Sequence, residues 1–218
     1  MATTVSMTNI VANDGKGWFP ATRGNCAWQL SDITPGDGAA SSIKIIPSGA
    51  GEVTLTSASH ALVASHKYYV TFKIRFEAAV TGTCDWYWPV AEPAAASGMA
   101  VNAAAGAWTR LSAVFDRASF TDGNYPCRFD YNNNDGGNKT FWFTSCMLVD
   151  LTAAFGAGKE PSKEWLDKRI TAFSDAPTVQ YVDNLGELFK GVADAIRAKS
   201  GQTGEIFACD FADRIRAL

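Results

Sequence analysis

The run Lys67 to Glu77 (KYYVTFKIRFE) constrains the fold more than any other stretch of this chain. Tyr68, Val70, Phe72, Ile74 and Phe76 share one parity, whereas Tyr69, Thr71, Lys73, Arg75 and Glu77 share the other. Successive side chains of a strand point to opposite faces, so one face is apolar and the other mostly polar. The segment is a half-buried antiparallel strand.

Other short runs rich in Val, Ile, Thr and aromatics read as strands too: Ser42 to Ile46, Glu52 to Thr56, Thr83 to Val90, Trp108 to Asp116, Pro126 to Tyr131 and Thr140 to Asp150. Turn signals such as Asp122-Gly123 and Asp135-Gly136-Gly137 separate them, a spacing that suits a sandwich or jelly roll rather than βαβ units. Residues 1–150 are therefore expected to form a β-sandwich. The small-residue segment Ala91 to Ala107 reads as a connection or edge strand.

After Asp150 the texture changes. Leu151, Phe155 and Trp165 are apolar in a turn-like stretch, and are expected to plug an edge or end of the sandwich, with Gly156 and Gly158 permitting a tight bend. Lys163 to Phe173 reads as a short helix and Ser174 to Val182 as a linker, so 151–182 is taken as an edge-capping segment. In the remainder, 183–218, Leu185, Leu188, Phe189, Val192 and Ile196 form an apolar helical stripe before Gly201, and Phe211 and Ile215 repeat the spacing. Short helices with one stripe each cannot bury much alone. This helical module is expected to pack on another chain, as a homo-oligomer or within a larger assembly.

Charge and composition narrow the function. With 19 basic and 22 acidic residues, net charge −3, the chain has no excess with which to neutralise phosphates, so neither nucleic acid nor a membrane surface is an expected partner. Met1 to Gly17 lacks the basic and apolar regions of a signal peptide, and no apolar run of about 18 residues occurs, so the product is expected to stay in the cytoplasm. Five scattered cysteines without CxxC spacing imply reduced, mostly buried thiols rather than disulfides or zinc. His60 and His66 have no nucleophile signature nearby, and P-loop, GxSxG and HExxH motifs are absent. Carboxylates such as Asp85, Glu92, Asp116, Asp130 and Asp150 make a hydrolytic pair only if the fold brings two together. No enzyme is expected.

The aromatic residues leave two readings open. Cys84, Trp86 and Trp88 share one parity, Asp85 and Tyr87 the other. In one reading Trp86 and Trp88 are core. In the other, Trp86 and Tyr87 make a stacking platform for a sugar ring, with Asp85 and Arg128 as polar neighbours. Trp108 and Trp142 are expected in the core.

Three segments, Lys67 to Ala78 (KYYVTFKIRFEA), Ala107 to Phe115 (AWTRLSAVF) and Thr140 to Asp150 (TFWFTSCMLVD), resemble successive strands of jelly-roll carbohydrate-binding modules. Asp150 to Trp165 (DLTAAFGAGKEPSKEW) resembles the DLT-x-x-FG-x-G-x-EP element that follows the last strand of such modules in bacteriophage and prophage virion proteins. Val192 to Leu218, with AIRAKSGQTG and FADRIRAL, resembles a helical element of phage structural proteins. The resemblance implies a virion structural protein, in a tail, fibre, baseplate or capsid-surface decoration, assembled in the host cytoplasm with other virion proteins. Its alternatives are a lectin-like module reading host-surface glycan and, second, a polysaccharide depolymerase. Many such modules carry a structural calcium, and Asp14 and Asp150 stand where its ligands would be; no other cofactor is implied.

Overall fold

The computed structural model describes residues 3–11, 22–49, 51–90, 93–132, 139–181 and 185–201. In chain order the elements are β1 (Thr3–Ser6), β2 (Thr22–Gly24), β3 (Cys26–Ser31), β4 (Ser42–Pro47), β5 (Val53–Leu62), β6 (Lys67–Phe76), β7 (Val80–Tyr87), β8 (Ala96–Ala103), β9 (Trp108–Asp116), β10 (Gly123–Asn132), β11 (Phe141–Asp150), α1 (Leu151–Phe155), α2 (Lys163–Arg169), β12 (Thr178–Tyr181) and α3 (Leu185–Ser200).

Two compact units result, Ser6–Pro177 and Met1–Val5 with Thr178–Leu218. The larger is an antiparallel jelly-roll sandwich. Its first sheet has the order β3-β4-β11-β6-β9 and its second β2-β5-β10-β7-β8. As its alternation requires, β6 sends Tyr68, Val70, Phe72, Ile74 and Phe76 into the core, where they meet Leu55, Trp86, Phe129 and Tyr131 of the second sheet. Phe72 lies 5.9 Å from Trp86 and 5.2 Å from Phe129, joining the two layers. Ala96–Ala103 is the edge strand expected of its small-residue segment.

A bulge in β11 decides which of its side chains reach the core. Register shifts between Thr144 and Met147, with Ser145 at φ 52°. Before it Phe141 and Phe143 face inward; after it Cys146 and Leu148 do. The side chain of Asn9 satisfies the backbone opened there: its Nδ2 donates to the Cys146 carbonyl at 3.0 Å and its Oδ1 accepts from the Leu148 N–H at 2.9 Å. Trp142, on the opposite parity, lies on the outer face, as does half-buried Trp108. Trp142 is buried as expected, though on the outer face and not between the sheets, whereas the expectation that Trp108 is core is corrected: each sits one residue out of phase with the inward parity.

The segment after Asp150 packs within the same unit and covers part of the first sheet's outer face. Asp150 caps α1 by accepting from the Ala153 N–H, and Ser162 caps α2 by accepting from the Trp165 N–H. Leu151, Phe155, Leu166, Ile170 and Phe173 are buried, while Trp165 is half-buried with its ring 6.3 Å from Phe155. Gly156 and Gly158 have positive φ, as the expected bend needs. Helix α2 stops at Arg169, short of the expected Phe173. There Arg110 intervenes, its Nη1 donating to the carbonyls of Asp167 at 3.1 Å and Ile170 at 2.8 Å. Gly38 allows the closest approach: a Cβ there would stand 2.7 Å from the Phe173 carbonyl oxygen.

In the smaller unit β1 pairs with β12, so the stretch read as a linker contains a strand. Helix α3 ends at Gly201, whose φ of 69° and N–H bond to the Arg197 carbonyl at 2.8 Å are the stop its sequence implied. Among the described residues no helix is long and apolar enough to cross a membrane.

Candidate functional site

Strands β7 and β10 lie side by side in the second sheet, pairing Arg128 with Tyr87 and Asp130 with Asp85. Their core-facing residues are Cys84, Trp86, Phe129 and Tyr131, so the alternate positions share the outer face. Three of the proposed platform residues, Asp85, Tyr87 and Arg128, thus meet on one surface. Trp86 does not: its ring is 0% exposed, stacked on Phe72 inside the sandwich, and cannot receive a sugar. Its parity with Cys84 puts it in the core, as for Trp88.

The outer patch is built from polar groups that hold one another. The Arg128 guanidinium lies 3.7 Å above the Tyr87 ring and its Nη2 is 2.9 Å from Asp130 Oδ2. Asp85 is committed to local structure. One oxygen accepts from the Gly98 N–H at 2.6 Å, at the irregular register of β8, and the other from Asn132 Nδ2 at 2.9 Å. Asn132 also reaches Thr83 Oγ1 at 3.1 Å. Asn132 was not singled out from the sequence and Asp130 only as one of several scattered carboxylates, although the alternation of Arg128, Asp130 and Asn132 about Phe129 and Tyr131 was there to read.

Asp130 is the electrostatic centre of the patch. Its side chain is 0% exposed, and burial pushes its carboxyl up to about 8; a hydrogen bond with Glu52 acts in the same direction, against the Arg128 charge. Between about pH 4 and pH 8 the folded chain therefore keeps a proton that the unfolded chain releases. Proton binding is greater in the folded state, so this group's contribution to stability falls as pH rises through that window. Thermal melts from pH 5 to 8 are expected to show this decline. Asp130→Asn is expected to lessen it by on the order of 1–3 kcal/mol across the range. An identical pH profile in the variant would contradict the buried, protonated carboxyl.

Other proposed residues are placed differently. Of the two residues proposed for calcium, Asp150 is engaged on both oxygens, Oδ1 by the Ala153 N–H and Oδ2 by His66 Nδ1 at 2.7 Å, and Asp14 lies outside the described residues. Among the described residues no three metal-ligating side chains gather. In α3 Ile196 is buried and Val192 half-buried, while the side chains of Leu185, Leu188 and Phe189 fall outside the described residues, as do Phe211 and Ile215 entirely. The four described cysteines, Cys26, Cys84, Cys127 and Cys146, are free and buried. Burial pushes the Cys84 and Cys127 thiols up, which keeps them protonated and unreactive.

No protein-family model matches the sequence, and no curated protein matches it. Solved structures match the fold. An arabinose-bound α-L-arabinofuranosidase aligns over 67% of this chain at 12% identity with a TM-score of 0.50; the alignment spans only 26% of that enzyme. A carbohydrate-binding module from Cellvibrio mixtus lichenase 5A, solved with cellotriose, aligns over 68% of this chain and 98% of its own at 12% identity and TM-score 0.45. The enzymatically active domain of tailspike protein 4 from bacteriophage CBA120 aligns over 66% of this chain and 21% of its own, at 13% identity and TM-score 0.44.

Proposed function

We propose that this chain is a non-catalytic structural protein of a phage particle, a tail, fibre, baseplate or surface-decoration component. Its jelly roll acts as a rigid display module. The observation that carries the reading is the placement of the aromatic rings. Among the described residues no Trp, Tyr or Phe is exposed; the exposed large apolar side chains are Leu30, Ile33 and Ile46. On the second sheet's outer face no ring is open to a ligand: Tyr87 is covered by Arg128, and Trp86 and Trp88 are core. Of the carboxylates in the patch, Asp85 and Asp130 are both buried, Asp85 is held on both oxygens and Asp130 hydrogen-bonds Glu52, an arrangement that disfavours hydrolysis. The Asp150 to Trp165 element, whose residues resemble those of virion proteins, folds as a capped and tied segment, with Thr152 donating to Glu160 at 2.7 Å.

The test is assembly. The full chain should self-associate or enter a particle, while a chain ending at Pro177 should keep the sandwich's thermal transition and lose association. Mass photometry and particle incorporation read both outcomes. A truncated chain that assembles as well as the full one overturns the reading. The lectin alternative rests on the polar patch of Tyr87, Arg128, Asp130 and Asn132; glycan-array binding abolished by Tyr87→Ala would favour it over the scaffold.

A further inference from the structure

Two neighbouring cross-strand rows on the outer face of the first sheet share one construction, and only one of them is closed. In the row joining Thr144, Lys73 and Arg110, the Phe173 ring lies 5.1 Å from Lys73 Nζ and 5.2 Å from the Arg110 guanidinium. The chain supplies a carboxylate to each cation: Asp37 stands 2.7 Å from Lys73 Nζ, and Asp167 stands 3.7 Å from Arg110 Nη2.

Two residues along, Gln29, Lys44, Trp142, Arg75 and Trp108 stand in register across all five strands. Again two cations flank an aromatic ring, Lys44 Nζ at 5.8 Å and Arg75 at 4.7 Å from the Trp142 centroid. Here the carboxylates are missing. Arg75 Nε donates to the Gly106 carbonyl at 2.9 Å, and among the described residues neither cation has an acidic partner. Trp142 is only 7% exposed, yet its indole N–H meets no acceptor. A buried donor left unpaired costs free energy that a bound acceptor recovers.

We propose that this open row binds an anionic polysaccharide, one bearing carboxylates or sulfates. The inference goes beyond the structural role, since it assigns a ligand to a face opposite the Tyr87 patch. The neighbouring row shows what completes such a construction, namely an acid on each cation. Half-buried Trp108 offers a ring for stacking on a sugar, and the Gln29 amide donates and accepts toward hydroxyls. The row spans about 19 Å across five strands, at about 4.8 Å per strand, which suits an extended polymer with repeating charges.

Affinity electrophoresis of the full chain through gels holding polygalacturonate, heparin or neutral hydroxyethylcellulose tests this. Retardation is expected from at least one of the two polyanions, separating carboxylate from sulfate recognition, and none from the neutral polymer. Lys44→Gln with Arg75→Gln should weaken binding about tenfold or more, as two lost charge-assisted contacts imply. Trp108→Ala should weaken it at unchanged charge, and Lys168→Gln, an exposed cation elsewhere, should not. Thermal melts confirm that each variant is folded. No retardation by either polyanion, or an equal loss in Lys168→Gln, overturns the proposal.

Discussion

Phe72→Ala is expected to destabilise the sandwich by about 3–5 kcal/mol and to lower its melting temperature by roughly 10 °C or more. Phe72 is 0% exposed and touches rings in both layers, at 5.9 Å from Trp86, 5.2 Å from Phe129 and 5.4 Å from Phe143. Truncation removes apolar surface and leaves a cavity that three large rings, fixed by their strands, cannot collapse to fill. Phe72→Leu should cost less, because more of the volume remains. Denaturant unfolding followed by tryptophan fluorescence reads the difference, with Trp86 as the adjacent reporter. A loss below about 1 kcal/mol would mean that the two sheets do not meet at this ring.

Arg110→Met is expected to loosen the capping segment by about 2–4 kcal/mol, raising local opening ~30-fold or more while the sandwich core stays folded. The guanidinium serves Thr71 Oγ1 at 2.9 Å, Tyr69 Oη at 2.6 Å and the carbonyls of Asp167 and Ile170, and it lies over Phe173. Methionine keeps the stem's packing and removes every donor. Tyr69 then keeps its own donation to Asp167 Oδ1 at 2.7 Å and Thr71 its donation to the Leu111 carbonyl at 2.9 Å, while the carbonyls of Asp167 and Ile170 lose the Arg110 donor. Hydrogen exchange and limited proteolysis across 151–173 provide the readout. Equal loss of protection in β6 and the capping segment would show one cooperative unit instead.

Much of this architecture was legible because β6 repeats the strand period over ten residues without a break. Its alternation marks a half-buried strand, and the short spacing of the other strands makes the sandwich. β11 was harder. TFWFTSCMLVD carries aromatics on both parities, and the bulge at Ser145 that reverses them has no glycine or proline to mark it. Strands β2, β3 and β12 are short, and TRG and CAWQLS lack a β-rich texture; pairing with distant strands makes them extended. At the site, Tyr87 and Arg128 shared a surface by parity, but their contact depends on a register between strands some 40 residues apart in sequence, which local pattern does not encode. The same limit hid the row on the first sheet, since Lys44, Arg75, Trp108 and Trp142 come from four separate strands.

The bridge from Asn9 to the β11 bulge also sets an order of events. Asn9 and Cys146 are separated by 137 residues, and β11 lies between β4 and β6. A ribosome adding roughly 5–20 residues per second takes roughly 7–30 s to make what separates them. Through that interval β4 and β6 lack the strand that belongs between them, and the Asn9 segment waits for the last strand of the sandwich. The fold cannot grow strand by strand from its beginning. A nascent chain of this kind carries its greatest risk of pairing with a neighbour just before completion, when its apolar strands are out and their central partner is not.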